Sequence, residues 1–472
     1  MQLSTSVHYN EYLPADDAVV NIVVSVRAEP GGDDRPAGRH AEVILLDCSG
    51  SMAAPQEKIY NARLAAIGAV DALPDGVAFA VVEGTDQATM VYPSETKLAV
   101  ADEQTRAAAK DRIRRLRPHG GTAIGAWLRL ADRLLDTDPG AIGHALLVTD
   151  GRNETEPRAV LEAAVAACAD RFTVDCWAIG ARDGRHAWSG DELLMVAAAL
   201  GANPVVPVED PDVLVAEFTT RLRTAMSRRI ANASLTVRTA AVARVRSIKQ
   251  VHPTITDLSA RGIPGSDAAT DYPTGAWGPG ERRDFFLTLE VQPMPSGSSR
   301  RIAWIGIGAG EPDPRMSPVQ VTWSHEVEQE GSTHGAVEHY TQHQTLERRL
   351  TEAREAFESG RHAEAEQLLG AAVRVAFHLN DRDLLDLLRR LCEWDDPEHG
   401  VVTLRPDIRD DLWPPFTVLS ARTGAWRPDP GEAPRSSPGQ AAAPDGPCPR
   451  CGFGERTGYY CDVCGYPGAE SA

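Results

Sequence analysis

Apolar and polar residues alternate over residues 19–27, which puts Val20, Ile22, Val24 and Val26 on one face of a predicted strand. A run of Gly, Asp and Pro from Pro30 to Gly38 breaks that pattern. From Ala41 to about Ser227 the text changes. Short apolar runs at 43–46, 77–82, 145–149 and 172–179 alternate with stretches of helical period near 57–72, 103–116, 123–136, 157–168, 190–200 and 211–227. Buried strands separated by amphipathic helices predict a doubly wound α/β layer, a mostly parallel sheet covered on both faces.

Beyond residue 232 the helical period disappears. Runs at 235–238, 285–291, 302–307 and 319–323 read as strands between Gly/Pro/Asp turns, so residues 228–328 predict a β-sandwich. The strand at 19–27, within an N-terminal segment 1–30, is expected to belong to it, with the α/β domain of residues 40–227 inserted between its strands. Residues 338–397 return to helical period. Ala353, Ala356, Phe357, Gly360, Ala365 and Leu369 follow the spacing of a tetratricopeptide-like hairpin, with a third helix over 382–393. One pair is too few for a solenoid, so a small helical bundle packed on its neighbours is expected. Residues 398–424 suggest short strands. Residues 425–447, rich in Pro, Ala, Gly and Ser, lack the apolar content for a core and read as a linker to a terminal module at 448–468.

At 472 residues the chain is long enough for several domains of about 150 residues each. Its 48 Lys and Arg against 67 Asp and Glu give a net charge of −19, which argues against a general nucleic-acid coat. The first residues carry neither a basic nor an apolar leader segment. No stretch approaches the roughly 18 apolar residues of a membrane span. With four of eight cysteines in two terminal C-x-x-C pairs, metal is favoured over disulfides, and a reducing, cytoplasmic location is expected.

The first strand of the α/β layer ends Asp47-Cys48-Ser49-Gly50-Ser51. A carboxylate at the end of a buried strand is costly unless paired or bound to a cation, and ligands of open α/β sheets sit beyond those strand ends. The i, i+2, i+4 spacing gathers one carboxylate and two hydroxyls, hard oxygen donors suited to Mg²⁺ and less selectively to Mn²⁺ or Ca²⁺. Gly120-Gly121-Thr122 precedes a predicted helix, and Val148-Thr149-Asp150-Gly151 closes another buried strand.

This D-x-S-x-S, G-G-T, V-T-D-G series resembles the von Willebrand factor A domain with its metal-ion-dependent adhesion site, over roughly residues 40–227 and in that family's order. The resemblance implies that Ser49, Ser51 and Thr122 coordinate Mg²⁺ through hydroxyls. Asp47 and Asp150 would act directly or through waters, and an acidic residue of a protein partner would fill the open position. Cys48 reads as a packing residue. The flanking segments Tyr9–Pro14, Leu147–Glu154 and Asp271–Trp277 look like those of intracellular bacterial proteins of this type. That likeness implies signalling or stress-response roles beside Ser/Thr kinases, phosphatases and forkhead-associated domains.

At the C-terminus, Cys448, Cys451, Cys461 and Cys464 form C-x2-C-x9-C-x2-C, four thiolates suited to a structural Zn²⁺ in a small zinc ribbon. Phe453, Tyr459 and Tyr460 are expected to cover the metal. His119, beside the Thr122 loop, and the pair His339 and His343 read as solvated histidines. Cys168, Cys176 and Cys392 read as buried thiols. Thr417 and Thr423, near the linker, are candidate phosphorylation sites. The expected function is a non-enzymatic, metal-dependent protein-binding scaffold. The alternatives are a Mg²⁺-dependent phosphohydrolase, for which no general base is evident, and a nucleic-acid-associated regulator acting through the ribbon.

Overall fold

The computed structural model describes residues 1–427 except 15–17, 30–38, 139, 152, 154, 170, 180–189, 201–205, 209–210, 266–267, 310–314, 325–333, 407, 409–412 and 414–420; beyond 427 it describes only 456–457 and 460–461. The chain opens with β1 (Gln2–Tyr9), β2 (Tyr12–Pro14) and β3 (Val19–Glu29). Then β4 (His40–Asp47), β5 (Ala78–Gly84), β6 (Ala88–Tyr92), β7 (Ala99–Val100), β8 (Ile142–Thr149), β9 (Thr173–Ile179) and β10 (Val206–Val208) build one sheet. Its path is β10-β9-β8-β4-β5-β6, with β7 beside β5. The pairs β10–β9, β9–β8, β8–β4 and β4–β5 are parallel.

Among the described residues six helices accompany this sheet: α1 (Glu57–Ala72), α2 (Glu103–Ile113), α3 (Ile124–Leu135), α4 (Arg158–Cys168), α5 (Gly190–Leu200) and α6 (Pro211–Met226). Strand alternation divides their packing. Val43 and Leu45 of β4, with Ala145 and Leu147 of β8, face α3, α4 and α5 through Trp127, Leu161 and Leu193. Ile44, Leu46, Leu146 and Val148 face the other way, onto α1, α2 and α6. Both faces being covered, the central strands are mostly apolar, and the buried charged groups Glu42, His144 and Asp175 are paired with one another. From β4 the chain winds to β5 on one side and later returns to β8 on the other. The crevice beyond the ends of β4 and β8 is therefore the topological switch point, where open α/β sheets place ligands.

Two further sheets are built mostly from later strands: β11 (Ile230–Thr239), β12 (Ala243–His252), β13 (Thr256–Asp257), β14 (Ile263–Pro264), β15 (Ala269–Trp277), β16 (Arg282–Val291), β17 (Ser299–Gly308) and β18 (Ser317–Ser324). One has the order β1-β3-β16-β12-β13, the other β14-β15-β11-β17-β18-β2. Val20, Ile22, Val24 and Val26 share one core with Phe285, Leu287, Leu235, Ile305, Val321 and Trp323, drawn from both sheets. Strand β3 pairs with β16 across more than 250 residues of sequence, so the α/β layer lies between two partners of one sheet. Arg228, 2% exposed, fastens the two parts where α6 leads into β11. It donates to Thr173 Oγ1 at 3.0 Å and pairs with Glu281 at 3.4 Å.

Helices α7 (Gly335–Glu358), α8 (His362–His378) and α9 (Arg382–Leu388) follow. They enclose a core of Leu350, Ala353, Leu369, Val373, Leu388 and Trp413. The third helix is shorter than its sequence period. It stops at Leu388, and Cys392–Glu393 (β19) pairs with Thr403–Leu404 (β20), which keeps Leu391 and Cys392 buried in that core. The first turns of α7 pack on the outer face of the β3 sheet, joining Ala336, Val337 and Tyr340 to Val23, Val251 and Phe286.

Candidate functional site

Four loops meet beyond the C-terminal ends of β4, β5 and β8. Gly50 N donates to Gly120 O at 3.0 Å, and His119 N donates to Cys48 O at 2.7 Å, drawing the Asp47–Ser51 turn onto the loop that carries Thr122. Ala123 N donates to Thr85 O at 3.0 Å, and Thr155 N donates to Thr122 O at 3.0 Å. The loop after β8 thereby braces the other side. Gly151, at φ +80°, makes the tight turn after Asp150 that a residue with a Cβ rarely adopts.

Within this frame Asp47 and Asp150 are fully buried, and Ser49 and Thr122 are each 1% exposed. Asp47 Oδ1 accepts from Ser49 N at 2.8 Å, and its Oδ2 accepts from the Thr149 hydroxyl. The Ser49 and Ser51 hydroxyls lie 2.9 Å apart. Burial pushes the Asp47 carboxyl up to about 6, repulsion from Asp150 adds to it, and the bonds from Ser49 and Thr149 pull the other way. The donors are all oxygen, two carboxylates and hydroxyls at one end of the sheet, and this chemistry suits a hard divalent cation such as Mg²⁺. Among the described residues no group of three or more His, Cys, Asp or Glu side chains is arranged to hold a metal ion by itself, so hydroxyls are essential to any ion site of this kind.

Several residues of the site carry no motif signal. Lys58, 2% exposed on α1, donates from Nζ to Asp150 Oδ2 at 2.9 Å. Thr155 Oγ1 accepts from Thr122 N at 2.9 Å. Asn153 and Glu156 accept from the first amides of α3, Ile124 N at 3.0 Å and Gly125 N at 2.7 Å. Trp127 Nε1 donates to Thr85 O at 2.7 Å, behind the site. One sequence clue to the capping pair exists. Ala123, which precedes α3, offers no side-chain acceptor, so the helix's orphan amides require partners from elsewhere.

The other singled-out residues fall as follows. Cys48 is buried in the core facing α1, and Cys168, Cys176 and Cys392 are buried thiols. His119 is exposed, 3.8 Å from Glu83. His343 is not a surface residue. It is 5% exposed beneath His339, whose Nε2 lies 2.9 Å from Gly424 O. Thr423 is also buried: its hydroxyl donates to Val251 O and its amide to Pro253 O, out of a kinase's reach in this fold. Thr417, Cys448, Cys451 and Cys464 lie outside the described residues. Cys461 falls in a two-residue strand, Tyr460–Cys461, that pairs with Arg456–Thr457 between the two C-x-x-C pairs. Among the described residues no helix is long and apolar enough to cross a membrane.

Residues 42–201 match the family model of the von Willebrand factor type A domain. A search of curated proteins finds no match. Among solved structures, the von Willebrand factor type A protein from Catenulispora acidiphila is 33% identical, with a TM-score of 0.82, over 90% of this chain and 97% of that one. The ArnB paralog VWA2 from Sulfolobus acidocaldarius is 12% identical, with a TM-score of 0.50, over 89% of this chain and all of that one, a likeness of fold alone. With a relative of that identity aligned along nine-tenths of its length, the chain belongs to the von Willebrand factor type A family: a Rossmann-like α/β domain with additional sheets.

Proposed function

We propose that this protein is a non-enzymatic, metal-dependent protein-interaction scaffold whose adhesion site captures an acidic residue of a partner. Ser49, Ser51 and Thr122 would hold Mg²⁺ through their hydroxyls, with Asp47 and Asp150 neutralising its charge directly or through waters. When bound, the ion supplies an electrophilic open position for a partner Asp or Glu. The observation that carries the reading is the fully buried Asp47 carboxylate, which among the described residues has no ion-pair partner of its own (Lys58 pairs with Asp150), beside the Ser49–Ser51 hydroxyl pair at the sheet's switch point, a set that is costly to bury without a further cation.

The rest of the chain supports a scaffold. The two sheets act as a β-sandwich carrying the α/β domain, and the helical segment packs against it. The four C-terminal cysteines would hold a structural Zn²⁺, and the short hairpin between the C-x-x-C pairs is consistent with a ribbon. We place the protein in a bacterial cytoplasmic signalling or stress-response complex, beside forkhead-associated, kinase or phosphatase proteins. The test is calorimetric titration of the full chain with Mg²⁺. One ion should bind per chain, and Asp47→Ala should abolish the signal while leaving the far-UV dichroism unchanged. A native chain that binds no Mg²⁺ contradicts the reading.

A further inference from the structure

Lys58 stands on the second residue of α1, at the positive end of that helix, and is almost wholly buried. Both circumstances oppose an ammonium there. Burial strips its hydration, and the first turn of a helix repels a cation. Its 2.9 Å bond to Asp150 Oδ2 is what offsets them. The hydroxyls of Ser49, Ser51 and Thr122 carry no charge, so among the described residues the charges on the proposed ligands and in contact with them are those of Asp47, Asp150 and Lys58; Glu156, whose side chain is also buried, is balanced by Arg129 at 3.0 Å. Asp86, whose Oδ1 lies near Gly120, is exposed and screened by water.

We infer that Lys58 sets the charge of the adhesion site: it weakens the hold on a divalent cation and, in return, leaves the loaded site net positive, so that an anionic ligand is favoured over water. The inference rests on the metal-site reading above. Two carboxylates and a dication alone would be neutral, with little bias toward a partner carboxylate. The buried ammonium beside them leaves one unit of positive charge. The same ammonium would repel the arriving ion, and it occupies one of the two oxygens of Asp150. Metal affinity and anion affinity are therefore opposed through one side chain, each by the Coulomb interaction of charges a few ångströms apart in a buried site.

The experiment is a titration of the full chain with Mn²⁺, reading the free ion by electron paramagnetic resonance, for the native protein, Lys58→Met and Lys58→Arg, with Asp47→Ala as background. Lys58→Met should bind Mn²⁺ at least about tenfold more tightly than the native chain, whereas Lys58→Arg, which keeps the charge, should stay within about threefold. Acetate serves as the carboxylate probe. Followed by water-proton relaxation of the bound Mn²⁺, it should displace water from the native site at lower concentration than from Lys58→Met. If Lys58→Met folds only with Mn²⁺ present, the ion is replacing the missing charge, as the inference requires; failure to fold even then overturns it. Equal Mn²⁺ affinity in the native and Met chains, or equal tightening by Arg, also overturns the role of Lys58 and leaves the metal site standing. No binding by either chain removes the metal site and the inference together.

Discussion

At Gly121 a Cβ would come within 1.9 Å of Thr155 Oγ1, the atom that accepts from the Thr122 amide. Gly121→Ala should therefore displace Thr155 and shift Thr122 without touching a proposed ligand. We expect a loss of Mg²⁺ affinity of about tenfold or more with a melting temperature lowered by only a few degrees, checked by calorimetry and thermal dichroism. Unchanged Mg²⁺ affinity would show that the Thr122 loop tolerates the methyl group and that Thr122 does not depend on this brace. The residues that converge on the sheet's switch point were legible in the sequence because each sits in a local string, Asp47 to Ser51, Gly120 to Thr122 and Val148 to Gly151. Lys58, Thr155 and Glu156 were not. Their partners lie between 31 and 92 residues away, and only the fold makes them neighbours.

Element by element, the α/β layer was the most legible part, since its central strands β4, β5, β8 and β9 carry long apolar runs and its helices keep their period. Strand β12 escaped because Arg244, Arg246 and Lys249 interrupt its apolar positions, and β15 because Pro273 and Gly275 read as a turn although they form irregular pairs with β11. Helix α7 hid a different feature. His8, His334 and Trp426 pack ring against ring, Tyr340 donates to Asp284, Trp426 N donates to Tyr340 Oη at 3.1 Å, and His252 Nδ1 lies 2.8 Å from Thr423 O. These contacts clamp residues 421–427 over the sheet. Burial, reinforced by His334, lowers His8 to about 4, and burial, reinforced by His339 and His252, lowers His343 to about 4. Since the unfolded chain takes up those protons near 6.5, stability should fall as the pH drops from about 6.5 toward 4. The opposite flank belongs to His144. Desolvation lowers it, but Glu42 at 2.7 Å and Asp175 at 3.4 Å outweigh that and raise it to about 9. Burial also raises Glu42, so both shifts keep a proton in this buried group. The His144 contribution is full below about 6.5 and is lost as the pH rises through 9. Denaturant titrations from pH 4 to 9 should show a maximum between these flanks, and His343→Leu should flatten the acid side. A flat profile would mean that these histidines exchange protons alike in the folded and unfolded chains.

For the whole molecule, the sequence composition separated the terminal module from the body, and the expected consequence is independence. The full chain should carry about one zinc, and Cys451→Ser should lose it by elemental analysis while the main melting transition stays in place. Two disulfides, or iron in place of zinc, would contradict the ribbon. Strand β3, expected from the alternation at 19–27 to join the helix-free strands beyond residue 230, pairs with β16, so the α/β layer lies between the two. What no pattern announced is Arg228, whose buried bonds hold the layer to the sheets.

Charge at this scale bears directly on capture. A net of −19 repels an acidic partner at long range, but screening confines that repulsion to about 8 Å at physiological ionic strength. On the proposed reading, attraction would arise at the site itself, from an ion held at the end of β4. The most direct measurement is an affinity capture from native lysate in Mg²⁺, with the immobilised full chain compared against Asp47→Ala and read by mass spectrometry; the point mutant would spare the proposed zinc, which a chelator would strip. A partner held by the native chain and lost from Asp47→Ala is the predicted result. A partner retained at full strength by Asp47→Ala would contradict metal-dependent capture at this site.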